Sequence, residues 1–135
     1  MKILVDTNIL ISVALFPNPR IMRFWSLAAD KNDLFLCSYS LEELDRVSAR
    51  KFPAKKQHLA AFLKKLKYTL VRTRNAKISN AAVIRDPKDY PILTSAISAD
   101  VDILISGDKD FESVNIGRPE ILTISEFMKK YDSDR

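Results

Sequence analysis

Residues 3–10 read ILVDTNIL: three aliphatic residues, then Asp6, Thr7 and Asn8, then aliphatic residues again. So short and uniform an apolar run suits a strand buried on both faces, because a half-exposed strand would alternate. The run ends in a carboxylate with no cation beside it, which puts an acid at the strand's C-terminal end. Similar runs recur at 33–37 (DLFLC), 68–73 (YTLVRT), 102–106 (DILIS) and 120–124 (EILTI). Helical patterns fill the intervals over 9–15, 20–29, 41–50, 55–67 and 91–99, with a short one at 126–131. Leu59, Phe62, Leu63 and Leu66 repeat at i+3 and i+4 and form one apolar face. Trp25, with Met22, Phe24 and Leu27, reads as core packing. Alternation of strands and helices predicts an α/β domain around a mostly parallel sheet of about five strands. Sites in such sheets form beyond the C-terminal ends of the strands, where the following helices begin.

Composition narrows the chemistry. A chain of 135 residues, 47% hydrophobic and 29% charged, is expected to form a single globular domain over 1–135. No apolar stretch reaches the roughly 20 residues that cross a bilayer, and the N-terminus lacks the pattern of a signal peptide. The lone cysteine, Cys37, cannot form an intrachain disulfide, which fits a reducing cytoplasm. The two glycines, Gly107 and Gly117, are too few and too far apart for a Walker A loop or a dinucleotide fingerprint. The one histidine, His58, lies in a basic amphipathic stretch and reads as a surface or boundary residue, which leaves no His-rich zinc site. A formal charge of +5 favours polyanions as partners.

Four acids are predicted at one rim of the sheet. Asp6 follows the first strand and Asp108 follows the fourth. Asp89 precedes the helix that carries Pro91, and Glu43 lies in the first turn of the helix after the second strand. Each has a plain alternative: Glu43 completes a capping-box pattern with Ser40, Asp86 could cap a helix, and Asp6 and Asp108 suit turns. Two carboxylates about 6 Å apart repel by roughly 3 kcal/mol at an effective dielectric near 20, so four together must take up protons or bind cations. Oxygen donors without nearby His or Cys point to Mg²⁺ or Mn²⁺, which activate water and stabilise an in-line phosphoryl displacement. Asp110 is a candidate ligand for a second ion. Thr7, Asn8 and Ser106 are candidate supporting residues, with Asn8 and Ser106 placed to hydrogen-bond a carboxylate. Arg46, Arg50, Lys51, Lys55, Lys56 and Lys109 are candidate contacts to a nucleic acid backbone.

At these residues the chain resembles PIN domains, particularly the PIN-type toxins of prokaryotic toxin–antitoxin pairs. The segments are LVDTNIL, SLEELDRV, DPKDYPILTSA and ISGDKDF, in order over nearly the whole chain. The resemblance implies a three-layer α/β/α sandwich and a Mg²⁺- or Mn²⁺-dependent ribonuclease with Asp6, Glu43, Asp89 and Asp108 as its acidic cluster. It also implies a homodimer and a small antitoxin that covers the site. Ser106 stands where threonine is common in the family, which keeps the hydroxyl. Two rival readings remain. A haloacid-dehalogenase-type phosphatase would need an acid two residues after its nucleophile, where this chain has Asn8. A non-catalytic RNA- or partner-binding module would use the same acids only as helix caps.

Overall fold

The computed structural model describes residues 1–73, 90–109, 111, 114 and 116–132. Five strands form one sheet: β1 (Lys2–Val5), β2 (Asp33–Cys37), β3 (Thr69–Val71), β4 (Ile103–Ile105) and β5 (Glu120–Leu122), in the order β3-β2-β1-β4-β5. Every pairing is parallel; Leu4 lies between Phe35 and Leu104. The sheet is thus parallel throughout, where the sequence predicts it only in the main.

Six α-helices are present among the described residues: α1 (Thr7–Leu15), α2 (Pro19–Trp25), α3 (Ser38–Lys51), α4 (Lys56–Lys65), α5 (Tyr90–Ser98) and α6 (Ile124–Tyr131). None is long and apolar enough to cross a membrane. Because side chains alternate along a strand, each strand feeds two cores. Ile3, Val5, Leu34, Leu36, Ile103 and Ile105 pack with Leu10, Phe24, Leu44, Leu59 and Phe127 on one face. Leu4, Phe35, Cys37 and Leu104 pack with Ile92, Leu93 and Ala96 of α5 on the other. This double burial produces the three layers, and it explains the uniformly apolar strands.

Caps fix several boundaries that periodicity alone misses. The first helix begins at Thr7, two residues before the predicted start, because the Asp6 side chain accepts from the Ile9 N–H at 3.0 Å and serves as its N-cap. The pattern over 20–29 is an α-helix capped by Asn18, followed by one wide π turn at Ser26–Asp30. The predicted helix at 55–67 is a 3₁₀ turn (Pro53–Lys55) followed by α4. A capping box starts α6: Glu126 N–H donates to Thr123 Oγ1 (3.1 Å) and Thr123 N–H to Glu126 Oε1 (2.9 Å). That box anchors a helix whose Phe127 packs edge-on against Phe24 with 5.7 Å between ring centroids. Thr123→Ala should therefore cost about 1 kcal/mol. A fall in the urea midpoint at unchanged m-value would measure it, and an unchanged midpoint would deny the cap its role.

Candidate active site

Parallel pairing brings three strand ends to one edge. Val5 is in register with Ile105, so the residues that follow them, Asp6 and Ser106, are neighbours. The backbone continues the ladder past both ends: Asp6 N–H donates to Ile105 O at 3.2 Å and Ser106 N–H to Leu122 O at 2.9 Å. Asp6 is 4% exposed and Ser106 3%. One Asp6 oxygen takes the Ile9 N–H, and the other takes the Ser106 hydroxyl in a short hydrogen bond. Ser106 Oγ in turn accepts from the Asp108 N–H at 3.1 Å. The serine thus ties the β4 turn to the β1 carboxylate.

Asp6, Glu43 and Asp108 line one pocket of about 340 Å³, together with Thr7, Asn8, Ile11, Val47, Lys51, Phe52 and Ile92. From α3 come Glu43, Val47 and Lys51, spaced at i, i+4 and i+8 on one helix face. The expectation that Glu43 lies in the first helical turn is corrected here. The helix begins at Ser38 with Cys37 at its N-cap, so Glu43 falls in the second turn and Ser40 is buried inside the helix rather than capping it. The capping-box alternative for Glu43 therefore fails, and its carboxyl faces the pocket.

Burial raises the pKa of Asp6 from its ordinary 3.8 to about 6. The Ser106 hydroxyl and the Ile9 N–H oppose that rise, and the charges of Asp108 and Glu43 add to it. Thr7 adds a further buried polar group, a hydroxyl with no hydrogen-bond partner among the described residues. Asn8 is exposed and lines the pocket; the hydrogen bonds to Asp6 come from Ser106 and the α1 backbone instead.

Among the described residues, no three His, Cys, Asp or Glu side chains close into a group that could hold a metal ion by itself. Asp89 and Asp110 lie outside the described residues. The donors that line the pocket nevertheless suit a hard divalent cation: three carboxylates, the Asn8 amide and the orphaned Thr7 hydroxyl, all oxygen donors.

Of the basic candidates, Lys51 lines the pocket. Lys55 lies over the Phe16 ring, 4.8 Å from its centroid, and Lys56 pairs with Asp45 at 3.7 Å. Arg46, Arg50 and Lys109 are exposed. Sequence reading did not anticipate Ile11, Val47, Phe52 or Ile92 in the lining. The i+4 step from Glu43 to Val47 and Lys51 is the signal that could have found the α3 contribution. His58 is not part of this pocket: its Nε2 lies 3.0 Å from the Ala14 carbonyl, so that nitrogen carries the proton.

Among curated proteins no match is found. The chain is similar in fold to the solved structure of VapBC2 from Rickettsia felis bound to a DNA fragment from their promoter. The TM-score is 0.69 at 19% identity, covering 90% of this chain and 97% of that one. The model of the PIN domain family matches residues 2–110, a span that holds the strand-end acids and the helices beside them. The chain belongs to the PIN domain family.

Proposed function

We propose that this protein is a Mg²⁺- or Mn²⁺-dependent endoribonuclease, acting as the toxin of a toxin–antitoxin pair. The observation that carries the reading is the buried Asp6 carboxylate, held by Ser106 and by the start of α1, in a pocket shared with Glu43 and Asp108. Burying an anion among anions costs stability, and carboxylates held in this way cluster at functional sites.

Asp6, Glu43, Asp108 and, by the resemblance, Asp89 would hold the ion, with Asp110 available for a second. A bound divalent cation supplies an activated water and charge stabilisation at a phosphodiester. The chain's own residues do the positioning. The Ile9 N–H and the Ser106 hydroxyl occupy one lone-pair direction on each Asp6 oxygen and so fix the orientation of the remaining ones. Lys51, at the pocket wall, would hold a neighbouring phosphate.

The test is cleavage of defined single-stranded and structured RNAs with Mn²⁺, with EDTA, and by Asp108→Asn. Mn²⁺-dependent cleavage lost in the variant supports the reading; cleavage indifferent to both EDTA and the substitution rejects it. Ser106→Ala should raise the Mn²⁺ concentration needed for half-maximal activity about tenfold, as loss of a group that orients a metal ligand typically does. Ser106→Thr, which keeps the hydroxyl, should restore it.

The competing reading, a non-catalytic RNA- or partner-binding module, is favoured by the role of Asp6 as the N-cap of α1. It predicts RNA binding without turnover at any Mn²⁺ concentration. The likeness to VapBC2 supports the toxin role, and the net charge of +5 suits both an RNA substrate and an acidic antitoxin. Co-purification with the product of a neighbouring reading frame checks the antitoxin. Light scattering after size-exclusion chromatography checks the expected homodimer, and cell fractionation the expected cytoplasmic location.

A further inference from the structure

The pocket is walled chiefly by α1 and α3, with Asp6 at the start of α1 and Phe52 at the end of α3. Phe52 caps the C-terminus of α3, and Phe16 caps that of α1. Their rings meet edge to face, with centroids 5.4 Å apart and planes at 68°. Phe16 is 47% exposed, among the largest exposures of any big apolar side chain among the described residues.

Two side chains, from the 3₁₀ turn and from α4, tie the end of α1. Lys55 Nζ reaches the Leu15 carbonyl at 3.4 Å and His58 Nε2 the Ala14 carbonyl at 3.0 Å, so two of the last carbonyls of α1 have cationic or N–H partners. The same Lys55 ammonium lies 4.8 Å from the Phe16 ring centroid. Lys51 lines the pocket one residue before Phe52. Phe52 is half-buried against the core, which leaves Phe16 as the exposed ring. An exposed aromatic ring beside lysines is the composition that binds single-stranded nucleic acid: the ring for a base, ammonium groups for phosphates.

We infer that Phe16, braced edge to face by Phe52, is a stacking platform for an unpaired base of the RNA strand whose phosphate is cleaved at Asp6. The inference rests on the ribonuclease reading and adds a subsite to it. From Asp6 to Phe16 the chain climbs the nine residues of α1, about 14 Å at 1.5 Å per residue. At about 3.4 Å per stacked nucleotide that is some four nucleotides from the cleaved phosphate, and fewer where the strand is extended. The Lys51 and Lys55 ammonium groups beside the two rings match a nucleic acid better than an apolar protein segment.

The experiment measures binding of a labelled 12-nucleotide single-stranded RNA, and of its duplex, by fluorescence anisotropy in EDTA. Wild type is compared with Phe16→Ala, Phe16→Leu and Phe16→Trp. Phe16→Ala should weaken single-strand binding about 5- to 50-fold, within the range for loss of one stacked base. Leucine should not restore affinity, tryptophan should, and duplex affinity should not change. Walking an abasic site along the oligonucleotide should find one position where wild type loses the same factor and Phe16→Ala loses nothing further. Equal single-strand affinity of wild type and Phe16→Ala would overturn the platform, even if Mn²⁺-dependent cleavage persisted. Rescue by leucine would overturn it too, by pointing to an apolar protein contact. Absence of cleavage by wild type would sink the ribonuclease reading separately, since the binding measurement needs no turnover.

Discussion

Asp6→Asn is expected to make the metal-free protein more stable at pH 7.5 while abolishing RNA cleavage. The burial that raises Asp6 from 3.8 to about 6 corresponds to about 3 kcal/mol of opposed ionisation. The sign follows from proton binding. Between those pH values the native state holds a proton that the unfolded chain has released. Stability from this group is therefore greatest below pH 4, falls as pH rises, and is fully lost above about pH 6. Asparagine removes that loss and keeps the N-cap, for which it ranks beside aspartate. A gain of about 1–3 kcal/mol would raise the melting temperature by roughly 4–10 °C at pH 7.5, and by little at pH 4. Cleavage should fall more than 100-fold, because a residue that merely orients a metal ligand already costs about 10–100-fold. A variant less stable than wild type at both pH values would show that the ionised carboxylate is not a burden on the fold.

The second large effect is stabilisation by the ion. A ligand present at about 100 times its dissociation constant stabilises the native state by about 2.7 kcal/mol, so Mn²⁺ at that excess should raise the melting temperature by roughly 10 °C at pH 7.5. Protons compete for the same carboxylate. With Asp6 titrating near 6, at pH 5 only about a tenth of the protein carries the anion, and the apparent affinity should drop about tenfold. Differential scanning fluorimetry across pH and Mn²⁺ concentration reads both effects. A shift of equal size at pH 5 and pH 7.5 would place the ion away from Asp6.

The strand ends were legible because they depend on a strong local signal. ILV, LFLC and ILI are apolar without alternation, which only a doubly covered sheet accommodates, and parallel pairing then puts Asp6 and Ser106 side by side. The core assignment of the Trp25 group was legible in part: Trp25 and Phe24 are buried, but Met22 is 45% exposed, on the outer side of α2. The start of α1 was not, because a strand passes directly into a helix at Asp6 with no glycine or proline to mark the change. Glu43 was misread for a subtler reason. SYSLEE satisfies the capping-box pattern at Ser40, but Cys37, the last residue of β2, is itself the N-cap, and nothing in the pattern shows that the helix has already begun. The Thr123–Glu126 box, a real one, was split between a predicted strand over 120–124 and a predicted helix over 126–131, so it escaped notice. The aromatic corner was invisible for another cause: Phe16 and Phe52 are 36 positions apart, and only the packing of α1 against α3 joins them.

Titration of the protein with Mn²⁺ by isothermal calorimetry at pH 7.5, repeated on Asp6→Asn, Glu43→Gln and Asp108→Asn, tests the shared-cation claim most directly. Saturable binding to wild type, lost or weakened at least tenfold in each of the three variants, is the expected result. Binding that survives all three substitutions unchanged, or no binding to wild type, would contradict it.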